Sequence, residues 1–257
     1  LGEALTTLDY RQGKWRVNEY YRAPLLIGAG GHFCPVARRL NPKNNDAKEI
    51  VTAQEVEIEL DSDQQAQCGI QANTPELYFL PMLDGYGWCV RKGDYVNIGL
   101  GRTENRHLSR NVASFYEFLV TQDKAPADIP GRFRGHAYRL ASHRKQRQII
   151  DNGVMLIGDA AGLAYPQSGE GIYTAIKSGL LAATTAIEAN GNYSLSKLEN
   201  YSARLDQFYG REAAFANISI PSVLRGTLAQ LLLKNRYFSR HVLLDKWFLH
   251  QDVGVSM

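Results

Sequence analysis

The sequence predicts a mixed α/β (α+β) fold, and three stretches predict it. Val154, Met155, Leu156 and Ile157 form an unbroken apolar run between Gly153 and Gly158, the pattern of a strand buried on both faces of an α/β sheet. Between Val51 and Leu100 the period changes to two: Val56, Ile58 and Leu60 alternate with Glu55, Glu57 and Glu59, as in a half-buried antiparallel sheet. Past Gly171 the apolar residues return at helical spacing, and a second helical pattern opens at Ser194.

Those elements require a core, and 257 residues with 44% hydrophobic and 21% charged side chains are enough for one large or two modest domains. The net charge of +3 is too small to indicate a nucleic-acid partner, and no basic stripe interleaves with aromatics. Cys34, Cys68 and Cys89 are widely spaced without a CxxC pair, which argues against a zinc site or a disulfide framework and favours a reducing, cytoplasmic setting. No run reaches the ~18 apolar residues of a spanning helix.

Taken in order, Trp15 and Val17 alternate with Lys14, Arg16 and Asn18 after the turn pair Gln12 and Gly13, which predicts a hairpin strand. Leu25 to Ile27 reads as a short buried strand running into Gly28, Ala29, Gly30 and Gly31, with Pro35 in the first turn of a following helix. A strand, a glycine turn and a helix start let phosphates or a sugar approach the backbone; a tight turn without any ligand explains the same residues. Cys34 reads as a buried structural thiol, with a reactive thiol as the alternative. The polar stretch from Asn41 to Lys48 marks a domain crossing. Strands are expected at Leu77 to Leu83, Tyr86 to Arg91 and Tyr95 to Leu100, joined as hairpins at Asp84-Gly85 and Gly93-Asp94.

A helix over Ser109 to Gln122 is expected, with Ser109 as its cap. The run from Arg132 to Arg147 holds six arginines or lysines; it suits either phosphate recognition, as of NADPH or an isoprenoid diphosphate, or a solvated face. His136 and His143 have no metal-ligand context. After the strand at Val154, Asp159 stands at the strand's carboxyl end, where ligands collect in α/β sheets, and its carboxylate suits a ligand rich in hydroxyl donors; capping the next turn is the alternative. Ala160, Ala161 and Gly162 are small, and Pro166 stiffens the loop. Gly169, Glu170 and Gly171 then open a helix whose bare N-H groups would stabilise an anion. Its repeat of Ile172, Ile176, Gly179, Leu180 and Ala183 gives the apolar spacing, and Ala175, Gly179, Ala182 and Ala186 would let it lie close to a sheet. The next helix carries Ser196 and Glu199 at capping-box spacing; one more is expected over Leu224 to Leu233. Arg236 to His250 permits either an interfacial amphipathic helix or packing onto the body.

The run GDAAGLAYPQSGEGI resembles the second flavin-contact motif of p-hydroxybenzoate hydroxylase-like flavoproteins, and most closely that of the geranylgeranyl reductase family. The resemblance implies that Asp159, with Gly158 and Ala160, meets the ribitol of FAD, and that Pro166, Gly169, Glu170 and Gly171 run along the isoalloxazine edge. Gly28 to Arg38 is similar to the family's GADG-x-x-S-x-V-R segment near the pyrophosphate, which implicates Gly30 and Gly31. Here Gly30 replaces an aspartate, Cys34 a serine and Ala37 an arginine. Tyr86, Trp88 and Lys92 match the substrate motif Y-x-W-x-F-P-K, with Val90 and Arg91 in place of its phenylalanine and proline. Tyr86 and Trp88 are thus substrate residues by resemblance, and aromatic wall or inter-layer core by physics.

The implied fold is the p-hydroxybenzoate hydroxylase-like FAD-binding fold lacking its first β-α-β unit. Residues 1–45 and 132–190 would form the FAD-binding part, 46–131 an antiparallel-sheet substrate domain, and 191–257 a C-terminal helical region. The chain starts in mid-pattern on Leu1 without a GxGxxG turn, so an N-terminal segment of the same polypeptide is the expected partner. The implied activity is FAD-dependent reduction of a carbon-carbon double bond in a small apolar, isoprenoid-like substrate, with NAD(P)H as a candidate donor and peripheral membrane contact as a candidate setting. Flavin-dependent hydroxylation and a non-catalytic module of the same fold are the alternatives. No residue stands out as an acid or base.

Overall fold

A computed structural model describes residues 2–42, 50–72, 74–82, 84–103, 106–128, 131–142, 147–166, 168–210 and 231–248. The chain runs through β1 (Leu8–Arg11), β2 (Lys14–Val17), β3 (Tyr21–Ala23), β4 (Leu26–Gly28) and α1 (Pro35–Leu40). Next come β5 (Ile50–Glu59), α2 (Ser62–Gln67), β6 (Glu76–Phe79), β7 (Gly85–Lys92), β8 (Tyr95–Arg102), α3 (Leu108–Thr121) and β9 (Arg134–Arg139). It continues with β10 (Ile150–Asp151), β11 (Val154–Leu156), α4 (Gly158–Ala161), α5 (Ile172–Ala189), α6 (Leu195–Gly210) and a wide π-type helix, Phe238–Phe248. Two compact units result, one of Leu1–Glu49 with Tyr138–Ser219, the other of Ile50–Ala137 with Ile220–Met257.

In the first unit, β1, β2 and β3 form an antiparallel meander. Gln12 and Gly13 both take positive φ, 51° and 75°, as a two-residue hairpin turn requires. Trp15 turns inward and donates its indole N-H to the Asn152 carbonyl at 3.1 Å. The second sheet has the order β10-β11-β4, with β11 and β4 parallel. Val154, Met155 and Leu156 are fully buried, as their apolar run predicts. β4 lies at the sheet edge with Ile27 exposed, so the expectation of a buried strand fails there. Gly28 is required: a Cβ would stand 2.5 Å from Leu156 Cδ2.

Helix α5 turns its small residues inward, as the Ala/Gly face predicts, and leaves its large apolar residues out. Its buried residues are Thr174, Ser178, Ala182, Thr185 and Ala189, while Ile172, Ile176, Leu180 and Ile187 are exposed. Small side chains win the inner face because they permit close approach, and their hydroxyls satisfy themselves on their own helix. Thr174 donates to the Gly171 carbonyl, Ser178 to Ala175 and Thr185 to Leu181 at 2.9–3.0 Å. Helix α6 packs into the same unit through Leu198, Tyr201, Leu205 and Tyr209, rather than standing with the residues after it as a separate helical region. Ser196 sits inside its first turn, one residue past Leu195, and not at a cap.

In the second unit the sheet order is β6-β7-β8-β5-β9. The alternation in β5 buries Val56 and Ile58; with Cys89, Val96 and Ile98 they form one face, closed by Leu119 of α3. Ser109 does not cap α3: the cap position is His107 in the left-handed region, and the Ser109 hydroxyl accepts instead from the Gln54 amide. A short helix absent from the sequence expectations, α2, is held by a capping box between Asp61 and Gln64. Leu83, His143, Pro221 and the helix expected from Leu224 fall wholly or mostly outside the described residues. Among the described residues no helix is long and apolar enough to cross a membrane.

Two buried tyrosines tie α6 to the sheet and the loop after α4: Tyr201 Oη donates to the Leu156 carbonyl at 2.7 Å and Tyr209 Oη to Leu163 at 2.6 Å. Tyr201→Phe leaves a buried carbonyl unpaired and should cost about 1–2 kcal/mol of stability, measurable by urea denaturation with an unchanged m-value.

Candidate functional site

Parallel pairing brings the two glycine turns to one place. Leu156 lies opposite Gly28, and the Ile157 N-H donates to the Gly28 carbonyl at 3.0 Å. The turn Gly28 to Gly31 and the turn Gly158 to Gly162 therefore leave the same carboxyl ends of adjacent strands, where ligands meet open α/β sheets. Gly158 takes φ +54° and donates its N-H to Ser178 Oγ at 3.0 Å. Gly162, at φ +71°, ends the single turn of α4.

Asp159 is half-buried in that turn. Burial and, second, the neighbouring Glu170 raise its carboxyl above the usual range. Among the described residues nothing hydrogen-bonds to the carboxylate, and a Cβ at Gly171 would stand 3.2 Å from Asp159 Oδ1. A half-buried acceptor facing a glycine, with no donor of its own, is what a hydroxyl-bearing ligand can satisfy.

The start of α5 is not bare. Glu170 Oε1 accepts the Tyr173 N-H at 2.8 Å, so a carboxylate already sits on the positive end of the helix dipole. Gly169 holds φ +70° against Tyr138, whose Oη would lie 2.7 Å from a Cβ there. Pro166 is half-buried beside it, whereas the Ala160 side chain is fully buried and only its carbonyl is presented, to Arg147 Nε at 3.1 Å. Gly31, at φ +68°, opens onto free space, and Gly30 backs onto Cys34, a buried free thiol.

Sequence reasoning missed His32, Arg139 and Arg147 as members of this region. Arg139 and Arg147 flank Gly162, 3.4 and 3.7 Å from where its Cβ would be. Burial first, then Arg139 and Arg147, lower the His32 imidazole below its ordinary value; burial and Arg139 also lower Arg147. Of the basic run, these two arginines turn inward onto the GDAAG turn, while His136 Nε2 pairs with Glu55 Oε1 at 3.1 Å in the other unit. The only trace in sequence was the density of charge between Arg132 and Arg147.

The second unit holds an aromatic wall. Tyr86 and Trp88 lie on the sheet face opposite α3, because the period-two pleat sends Gly87 and Cys89 to the core. Phe79 joins from β6 and Phe248 from the π-type helix: ring centroids are 5.8 Å apart for Phe79 and Tyr86, 5.3 Å for Tyr86 and Phe248, and 6.0 Å for Tyr86 and Trp88. Phe79 and Phe248 were not assigned from sequence.

A strand-turn-helix site with a half-buried carboxylate, in a chain that also bears an antiparallel aromatic sheet, defines a flavin-binding protein of the p-hydroxybenzoate hydroxylase-like fold. The chain belongs to the FAD-binding domain family, whose model, described as FAD binding domain, matches residues 6–214. It is 32% identical over 169 residues to a chloroplastic geranylgeranyl diphosphate reductase of Nicotiana tabacum, covering 64% of this chain and 34% of that protein. It is 31% identical over 131 residues to digeranylgeranylglycerophospholipid reductase 3 of Methanosphaera stadtmanae, covering 50% and 32%. The chain thus spans about a third of the length of these curated relatives. Among solved structures, a geranylgeranyl bacteriochlorophyll reductase-like protein of Thermoplasma acidophilum superposes with TM-score 0.62 at 22% identity, covering 88% of this chain and 60% of that one. A probable FAD-dependent monooxygenase of Pseudomonas aeruginosa gives 0.53 at 17%, covering 78% and 58%. These likenesses define the fold.

The raised carboxyl of Asp159 has a consequence for stability. A folded pKa above the unfolded one means that folding favours the proton; the associated stability is present below the unfolded pKa and is lost as pH rises through the folded one. Asp159→Asn cannot ionise, so thermal melts across a pH series should show the variant more stable than wild type at neutral pH and no such gain below the ordinary carboxylate range.

Proposed function

We propose that the whole protein is an FAD-dependent oxidoreductase that reduces a carbon-carbon double bond in an apolar, isoprenoid-like substrate. The observation that carries this reading is the wall of Phe79, Tyr86, Trp88 and Phe248 in a chain of the FAD-binding domain family. The substrate class follows relatives that are named geranylgeranyl and digeranylgeranylglycerophospholipid reductases.

FAD, once reduced, supplies the hydride. Asp159 accepts hydrogen bonds from its ribitol hydroxyls. Gly158 and Gly171 keep the approach to that carboxylate free of side chains, and the Pro166 to Glu170 loop borders the ring edge. The open turn at Gly30 and Gly31, with His32, Arg139 and Arg147 nearby, gives the phosphates a basic backbone-lined seat. NAD(P)H is the proposed donor of electrons. The partly exposed rings on the sheet of the second unit hold the prenyl chain through apolar burial.

The cofactor seat also needs a dinucleotide turn, and two surfaces of the first unit support its delivery by a further segment of the same polypeptide. β4 is a sheet edge, and Ile172, Ile176, Leu180 and Ile187 line one exposed side of α5. A strand paired on β4 and a crossover helix on that side would complete a covered parallel sheet. Ile176→Lys is then expected to leave the melting temperature of the 257-residue chain unchanged, and to lower both stability and FAD retention in a longer form carrying that turn.

The direct test is the visible spectrum after incubation with FAD and removal of the excess, for the full-length protein and for this chain. Asp159→Ala should weaken FAD retention by at least about tenfold, the equivalent of one hydrogen bond to a charged group. Anaerobic turnover with geranylgeraniol should yield a product gaining two hydrogens. Oxygen consumption coupled to substrate hydroxylation would move the assignment to a hydroxylase, and a protein that retains no flavin would be a non-catalytic module.

A further inference from the structure

The position of the Trp88 ring is set by a polar chain. Its register partner on β8 is Gly99, and the indole occupies the space that a side chain there would fill: a Cβ at Gly99 would lie 2.2 Å from Trp88 Cζ2 and 2.5 Å from Cε2. The glycine therefore makes the seat for the ring. On the same face, Asn97 Oδ1 accepts the indole N-H at 2.6 Å.

Orientation of that amide follows from chemistry. Asn97 lies opposite Glu57 on β5, and its Nδ2 donates to Glu57 Oε2 at 3.4 Å. A carboxylate only accepts and an indole N-H only donates, so the amide nitrogen must face Glu57 and the amide oxygen must face Trp88. The opposite flip would break both contacts. Lys92, on the same face as Trp88, reaches over β8 to Glu57 Oε2 at 3.1 Å. That pair is largely solvent-exposed, where an ion pair contributes little stability; its effect is to aim Glu57 at Asn97, and Lys92 is the first cause of the lowered Glu57 carboxyl.

We propose that Asn97 is a positioning residue for the substrate wall: it holds the Trp88 indole on Gly99 and links it through Glu57 to Lys92, so that the ring presents a fixed apolar surface to a prenyl chain. The proposal rests on the isoprenoid reading above. It also gives Lys92 a role inside the protein, distinct from contact with a charged ligand. A ring with preset rotamer loses less freedom on binding, and the gain appears as affinity for the chain.

The test uses the full-length protein with Trp15→Phe, Trp247→Phe and every tryptophan outside these 257 residues replaced by Phe, which leaves Trp88 as its single tryptophan. Fluorescence anisotropy reads the mobility of the indole, and titration with geranylgeraniol reads affinity. Asn97→Leu removes the acceptor; anisotropy should fall and the dissociation constant rise by about tenfold, with FAD retention unchanged. Asn97→Asp alone sets two carboxylates against each other. Combined with Glu57→Gln it reverses donor and acceptor between β5 and β8 while still offering the indole an oxygen, so the pair should restore both readings toward wild type, which a merely structural defect would not do.

Unchanged anisotropy and affinity in Asn97→Leu would overturn the proposal, as would a folded double variant that restores neither. If the parent protein binds no geranylgeraniol while its anisotropy still falls in Asn97→Leu, the isoprenoid reading is overturned and the prenyl-chain part of the proposal goes with it; the anchoring of Trp88 then stands on the anisotropy alone.

Discussion

The parallel contact between β11 and β4 is the constraint on which the cofactor region depends. Three registered residue pairs and the hydrogen bond from Ile157 to Gly28 join stretches of chain more than a hundred residues apart. Each ends in a glycine turn, and only their pairing turns two separate loops into one edge at which a ligand can meet both backbones. The close packing it demands explains why Gly28 tolerates no side chain against Leu156 and why Val154 to Leu156 carry no polar group.

Helix α5 shows the same economy of space. An apolar stripe is ordinarily the buried stripe, yet here Ser178 and two threonines line the inner face and the isoleucines face out. Hydroxyls that bond their own helix carry little desolvation penalty, and their small size brings the helix within reach of the Gly158 N-H. The helix start is then free to place Gly171 against Asp159. Glu170, which closes the first turn through Tyr173, raises the Asp159 carboxyl further. The site thus holds a carboxylate whose ionised form burial and Glu170 disfavour, a cost that a hydrogen-bond donor on a ligand would offset.

In the second unit the pleat divides the sheet into two chemically unlike faces. Alternation sends Val56, Ile58, Cys89, Val96 and Ile98 to the core under α3, and leaves Glu55, Glu57, Asn97, Gly99, Tyr86 and Trp88 on the other side. One half of that face is aromatic and the other acidic, and Asn97 stands at the junction. Gly99 is as necessary to the wall as the rings are, since any larger residue would displace Trp88.

Much of this was legible in the residues. The period-two run of β5, the apolar run of β11, the glycine turns and the GDAAG motif each state a local geometry, and local geometry is what backbone propensity and burial period encode. So the mixed fold, the flavin family and the place of Asp159 could be read before any coordinates. What only the tertiary structure decided were pairings between distant residues: the meeting of Gly28 with Leu156, the inward turn of Arg139 and Arg147 onto Gly162, the capture of the α5 start by Glu170, and the hold of Asn97 on Trp88. None has a periodic signature, because each depends on strand register and on which helix face wins the closer contact. Those are settled by packing across the whole unit, where a hydroxyl that bonds its own helix can displace an isoleucine from the core.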